Sequence, residues 1–366
     1  MNQKNFLRTR YEWLDALSSR SAVIKNLSVK ESVTDAVYRA AGAKNAANAD
    51  AFNFSNSAEH NDAVIETIEQ LAAKSASLAT LKKFIIDLTS QNTYGTFAEL
   101  SAYRFLLKGS HEFDIQAPMS GASILNPNGS DLDGVLRLPE EICFDVKGFG
   151  FLDHLVTRLT KRLSDDLAPD LAVAQNSWDV ATELLNDLLG KDYKPLLEEL
   201  KVKREATRDL IEFSVRAQQR IQVTQREINR ERAAKENAEY PFRFAKQFAR
   251  HKPFFLIFVI HPWFSGSLQV NFGGSLQEFT SEFSKKFFCQ FESDKQMLFE
   301  IARAEVARLL SGIVFVDAWE DQQASKRTKY RLFLNPNATN KPKAESVAAF
   351  ANPYGADITV NEVTCP

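Results

Sequence analysis

Seven consecutive apolar residues, Phe254–Ile260 (FFLIFVI), form the longest apolar run in the chain. The run is strand-sized and far shorter than a membrane-spanning helix. It does not alternate apolar with polar residues, so it suits a strand covered on both faces rather than one with a wet side. Four other stretches carry strand-type patterns: 131–138, 141–147, 312–318 and 329–335. All five are expected in one sheet, which gives an α/β (α+β) fold with a mixed central sheet flanked by helices.

The remainder of the chain reads mainly as helix. Apolar residues recur at helical spacing in 6–17, 33–41, 64–71 and 78–88, with Ser28 and Glu31 placed as a capping box before the second. The expected units are a helical N-terminal region (1–92), the first part of a core (93–168), a helical insertion (169–252), the second part of the core (253–336) and a poorly structured tail (337–366). Helices are expected at 276–291 and 294–310. Within the insertion, 201–239 reads as one charged helix with a narrow apolar stripe that includes Ala206, Phe213 and Ile221. Such a stripe suits a single partner helix, from the same chain or from a second copy in a homodimer.

Composition sets bounds on function. The 366 residues are 44% hydrophobic and 25% charged, with 28 phenylalanines, which implies a substantial core rather than a disordered chain. A formal net charge of −2 offers no global attraction to nucleic acid, so such binding must use local basic patches. The segment 241–252 is one candidate, interleaving Arg243, Lys246, Arg250 and Lys252 with Phe242, Phe244 and Phe248. Cys143, Cys289 and Cys365 lie far apart without a CxxC pair, which argues against a structural zinc site and points to a reducing interior. The first residues lack an apolar signal core and no window suits a membrane span, so a cytoplasmic protein is expected.

The chemistry concentrates in 130–148, SDLDGVLRLPEEICFDVKG, which reads as two strands joined by a tight turn at 138–141. Alternation places Leu132, Gly134, Leu136 and Leu138 on one face of the first strand, and Asp131, Asp133, Val135 and Arg137 on the other. In the second strand Cys143, Asp145 and Lys147 share a face opposite Ile142, Phe144 and Val146. Two acids and a lysine therefore converge. That set suits a hard divalent cation, which takes oxygen ligands, while the lysine orients water and meets developing phosphate charge. Asp133, Asp145 and the carbonyl of Val146 are the candidate metal ligands. Asp131 shares the parity of Asp133; the Gly134 that follows Asp133 favours the latter by permitting close approach. Glu99, on an apolar helix face in the preceding segment, either joins the site or closes a Thr96-x-x-Glu99 capping box. His154 and His261 read as packing or hydrogen-bonding residues.

A helix bearing Glu99, a strand bearing Asp133 before Gly134, then Asp145-x-Lys147 on the next strand resembles the PD-(D/E)xK nuclease superfamily. No proline directly precedes Asp133, and Asp145 stands where Glu is commoner. The resemblance covers 94–165 and 253–335. It implies a restriction-endonuclease-like core and hydrolysis of phosphodiester bonds with Mg²⁺, Mn²⁺ able to substitute. DNA is the expected substrate, with restriction or anti-phage defence as a setting. Asp133, Asp145, Lys147 and Glu99 are then catalytic, with Glu99 able to hold a second metal. The competing reading is a non-catalytic nucleic-acid-binding or assembly protein with a degenerate nuclease-like core.

Overall fold

A computed structural model describes residues 3–32, 58–74, 76–89, 93–149, 152–176, 182–209, 211–217, 234–235, 238–261, 276–318 and 329–365. The described chain opens with α1 (Gln3–Arg20), α2 (Ala22–Asn26), α3 (Val29–Ser32), α4 (Ala58–Ala73) and α5 (Leu78–Leu88). Next, α6 (Thr93–Lys108) leads into β1 (Phe113–Met119), β2 (Ser130–Arg137) and β3 (Glu141–Gly148). Beyond α7 (Leu152–Asp166) come β4 (Leu171–Asn176), α8 (Thr182–Leu189), α9 (Tyr193–Lys203), β5 (Glu205–Arg208) and β6 (Ile211–Arg216). A 3₁₀ segment, Tyr240–Gln247, precedes β7 (Phe254–Ile260) and α10 (Leu276–Gln290). The chain continues through β8 (Met297–Leu298), β9 (Ile301–Ala302), α11 (Arg303–Leu309), β10 (Gly312–Asp317), β11 (Tyr330–Leu334), α12 (Ala344–Ala351) and β12 (Ile358–Glu362).

One seven-stranded mixed sheet, of order β1-β2-β3-β7-β10-β11-β12, forms the centre. β7 is parallel to both its neighbours, β3 and β10, whereas β2 runs antiparallel to both β1 and β3. Every β7 residue is buried, and the reason lies in its two faces. Phe255, Ile257 and Val259 pack with side chains of the N-terminal helices, including Trp13, Ile68, Phe84 and Tyr103. Phe254, Leu256, Phe258 and Ile260 pack with Leu163, Leu196 and Phe213 and with the α10 phenylalanines. Helices on both sides thus explain why the run carries no polar alternation. Much of the phenylalanine content sits on the second face, where Phe149 meets Phe258, Phe283 and Phe315 edge-on at 4.9–5.6 Å.

The five expected strands do share this sheet, and β1 and β12 extend it at its two edges. Elsewhere local reading and structure part. The 169–252 insertion is mixed rather than helical, with a three-stranded sheet of order β4-β6-β5. The long helix expected over 201–239 stops at Lys203, and Arg204 caps it in the left-handed region. There β5 and β6 pair antiparallel as a hairpin, and Asp209, after β5, adopts φ 52°. Ala206 and Phe213 are core residues of that hairpin rather than a stripe for a partner helix, and Ile221 lies outside the described residues.

A hairpin, β8–β9, occupies 297–302, so the helix expected at 294–310 begins only at Arg303. The tail is ordered: α12 lays Phe350 on the Phe105 ring, and β12 pairs parallel with β11. Folding back of the tail also brings Cys365 to Cys289, with which it forms a disulfide, while Cys143 is a buried thiol. This bond departs from the reducing interior read from the cysteine spacing. Ser28, at φ 48°, directly precedes α3, and the helix expected over 33–41 lies outside the described residues. No described helix is long and apolar enough to cross a membrane.

Candidate functional site

The site grows from a local failure of strand pairing. β2 and β3 pair from Arg137–Glu141 up to Gly134–Phe144. Gly134 is required there: a Cβ would stand 2.4 Å from the Asp114 carbonyl oxygen and 2.4 Å from the Phe144 ring. One residue further, Asp133 has no ladder partner on β3. Its Oδ2 instead accepts the Val146 N–H at 2.6 Å, and its backbone carbonyl accepts the Tyr103 hydroxyl at 2.8 Å. Across β1, the register passes over Gln116, which adopts φ 50°. Strict alternation therefore breaks: Leu132 packs with Val135 and Cys143, while Leu136 packs on the opposite face of the sheet. The expectation that Leu132 and Leu136 share a face fails for this reason.

Asp145 follows Phe144 on β3 and is fully buried. Its Oδ2 lies 2.6 Å from Lys147 Nζ. Beyond Lys147 and the adjacent Asp133 carboxyl, the carboxylate has no hydrogen-bond partner among the described residues. The Lys147 ammonium also lies 5.6 Å from the Phe244 ring centroid, on the 3₁₀ segment. From the other side, α6 contributes Glu99, whose Oε2 accepts from Gln116 Nε2 at 3.4 Å.

α6 begins at Thr93, and Thr96 is buried within it, so the Thr96–Glu99 capping box is not the helix start. Asp131 is exposed and pairs with Pro118 of β1, whereas Asp133 is buried.

Electrostatics follow from this crowding. Burial pushes the Glu99 carboxyl up to about 8, and the nearby Asp133 charge adds to the rise while Lys147 opposes it. Asp145 is pushed well above the usual carboxylate range, by burial first and then by Asp133, again against Lys147. Burial opposes the Lys147 charge, yet Asp145 and Asp133 overcome it and hold the ammonium above its ordinary value. Lys147 thus lies among three carboxyl groups, with Lys83 adding a weaker attraction at Glu99, and two of the three take up protons more readily than in water.

This imbalance bears on whether a metal suits the site. Among the described residues no three His, Cys, Asp or Glu side chains form a ready cluster of metal ligands. The Asp133–Asp145 pair nevertheless fits a hard divalent ion, which needs one or two carboxylates and keeps several waters. A wholly buried carboxylate with a single cationic partner, next to a second carboxylate, is the arrangement that a cation relieves.

Tyr103 and Gln116 are parts of the site that sequence reading did not assign to it. Tyr103 stands at i+4 from Glu99, a spacing that places it on the same helix face. Gln116 lies on β1, a strand that the apolar pattern did not reveal. His261 is remote in role, packed against Phe97 at 5.0 Å. His154 belongs to α7, and its side chain is outside the described residues. In the basic segment, Arg250 donates to the Ile124 carbonyl and Lys252 pairs with Glu141, which leaves Arg243 and Lys246 exposed.

No protein-family model, curated protein or solved structure matches the chain.

Proposed function

We propose that this chain is a divalent-metal-dependent nuclease whose centre is Asp133, Asp145 and Lys147. The observation that carries the reading is the fully buried Asp145 carboxylate, 2.6 Å from Lys147, with the charge of Asp133 opposing its own. A structural salt bridge has no use for two further acids, because like charges crowded away from water destabilise the fold. The order of elements also supports it: α6, the β1–β2–β3 meander, α7, then β7 parallel to β3. That order agrees with a restriction-endonuclease-like core carrying the PD-(D/E)xK residues.

In this reading Asp133 and Asp145 hold Mg²⁺, with Mn²⁺ as a substitute. The ion, when bound, supplies positive charge to the scissile phosphate and lowers the cost of forming a hydroxide nucleophile. Val146 serves the site through its N–H, which fixes the Asp133 carboxylate, and its carbonyl is a further candidate ligand. Lys147 presents a persistent ammonium to the charge that develops on the phosphate oxygens. Glu99, held by Gln116, positions a water or a second ion from the α6 side. DNA is the proposed substrate, with exposed Arg243 and Lys246 near Phe244 providing cationic contacts to its backbone. The test is incubation of the purified chain with single- and double-stranded DNA and RNA in Mg²⁺, Mn²⁺ or chelator. Cleavage of DNA that needs the metal supports the reading; no metal-dependent cleavage of any of them defeats it.

A further inference from the structure

The β8–β9 hairpin turns on residues that such a turn disfavours. Its strands pair Met297 with Ala302 and Leu298 with Ile301, which leaves a two-residue loop of Phe299 and Glu300. Both loop residues have positive φ, 55° and 64°. That is the backbone of a type I′ turn, which favours Asn-Gly because asparagine and glycine enter the left-handed region at little cost. A phenylalanine there is a steric outlier. Strain of this kind persists where the surroundings enforce it, and it points to use of the side chain.

The surroundings do enforce it. The Arg303 N–H donates to the Gln296 carbonyl, the Ala304 N–H to the Asp294 carbonyl, and the Gln296 N–H to the Asp294 carboxylate. The Arg303 guanidinium lies over the Phe242 and Phe291 rings at 4.5 and 4.9 Å, and Leu298 and Ile301 pack on the core. The tip, by contrast, is turned outward: Met297 is 66% exposed and Phe299 38%. The Lys246 ammonium lies 5.7 Å from the Phe299 ring centroid. Lys246 is exposed, as is Arg243, and both belong to the 3₁₀ segment whose Phe244 ring centroid lies 5.6 Å from Lys147. One short segment thus connects the ring at the hairpin tip with the lysine of the acidic centre.

A cation beside an exposed aromatic ring matches one nucleotide, with phosphate on the first and base on the second. We propose that Phe299 is a stacking platform for an unpaired base of the DNA strand that enters the acidic centre, with Lys246 and Arg243 on the adjoining phosphates. This rests on the nuclease reading and narrows its substrate to DNA with an unpaired stretch beside the cut, since a base inside a duplex has both faces covered. Glu300 is exposed at the same tip and repels phosphate, which leaves the tip to the base.

The full chain in chelator, where no metal-dependent cut occurs, is titrated with labelled single-stranded DNA and with the same sequence as a blunt duplex, followed by fluorescence anisotropy. Phe299→Asn should weaken the single strand about tenfold and the duplex less than about twofold, because stacking is lost and the phosphate contacts are kept. Phe299→Trp should keep the single-strand affinity. The Tm of Phe299→Asn should be unchanged or raised, since asparagine suits the left-handed turn. Lys246→Ala should weaken both DNAs and lower the salt dependence of binding. No single-strand binding by the unmodified chain, or unchanged single-strand affinity in Phe299→Asn, would overturn the assignment and leave the tip to a protein partner. A lowered Tm with equal losses for both DNAs would overturn it as well, by making Phe299 a structural residue. Cleavage in Mg²⁺ is measured separately. A chain that cuts DNA while Phe299→Asn binds normally keeps the nuclease reading and loses the platform; one that binds through Phe299 and never cuts keeps the platform and loses the nuclease reading.

Discussion

The two faces of α6 solve the same problem, polar groups shut away from water, in opposite ways. On the side of the β2–β3 hairpin the buried groups are acids crowded around Lys147, and burial drives Glu99 and Asp145 upwards. On the other side, where α6 lines a cavity of about 370 Å³, they are imidazoles, and burial holds both His60 and His261 down at about 3, so that they are neutral at pH 7. The first arrangement lacks positive charge; the second carries no charge on its imidazoles. A cation is the natural complement of the first. The two sides should therefore respond to pH with opposite sign, and the comparison can be broken at either end.

The largest effect should come from Lys147→Met. It removes the ammonium paired with Asp145, so metal-supported cleavage should fall by about 10²–10³-fold while metal affinity is largely kept. Single-turnover kinetics beside a calorimetric metal titration would check this; an active Lys147→Met would mean that lysine merely balances charge.

Next in size is the alkaline limb of stability. A carboxyl that holds its proton more tightly when folded stabilises the fold fully below its ordinary pKa, and that contribution is lost as pH rises through the folded value. For Glu99 the window runs from its ordinary value of 4.5 to about 8. Chelated protein should lose stability across this range, by up to about 5 kcal/mol, and Glu99→Gln should flatten the loss. Mg²⁺ should raise Tm more at pH 8 than at pH 5, because ionised carboxylates bind it. A Tm that does not change between pH 5 and 8 in chelator would contradict the burial argument.

Gly134→Ala tests how tightly β1 and Phe144 close on the pairing break. The added methyl group meets a backbone oxygen at 2.4 Å, so a loss of about 1–3 kcal/mol is expected in chemical denaturation. A neutral substitution would show that the strands can part there without cost.

The acid limb of stability belongs to the cavity. A histidine kept neutral by burial contributes stability above its ordinary value, lost as pH falls from 6.5 towards about 3. The groups facing these imidazoles include Glu59, Asp317, Arg104, Lys108 and Lys329. His261→Gln should remove part of the acid limb, since His60 remains, and should leave the alkaline limb in place. A variant with the unmodified acid limb would reassign that limb to carboxylates elsewhere.

How much of this was legible before the structure depends on which residues carried a clean period. The unbroken run of β7 and the alternation of β3 revealed a doubly covered sheet, and Asp145 and Lys147 were placed correctly on one face. Parity alone did not separate Asp131 from Asp133, because the break at Gln116 and Gly134 is a tertiary event with no local pattern. The 201–239 reading followed a three-four spacing through Ala206 and Phe213, although Ile211, Phe213 and Val215 also alternate with period two. Asp209, in the left-handed region after β5, then decided for the hairpin. β12 and the Cys289–Cys365 bond depend on a chain return spanning 76 residues, which no local spacing encodes. The cavity likewise draws on α4, α6, β7, β10 and β11, so its residues never stand together in sequence.

The most direct test of the central claim is cleavage by Asp145→Asn, run with its Tm in chelator. Asparagine keeps the shape and removes the buried charge that burial and Asp133 both oppose. The account predicts loss of metal-dependent hydrolysis together with an unchanged or raised Tm above pH 7. An Asp145→Asn protein that cleaves as fast as the unmodified chain would contradict it.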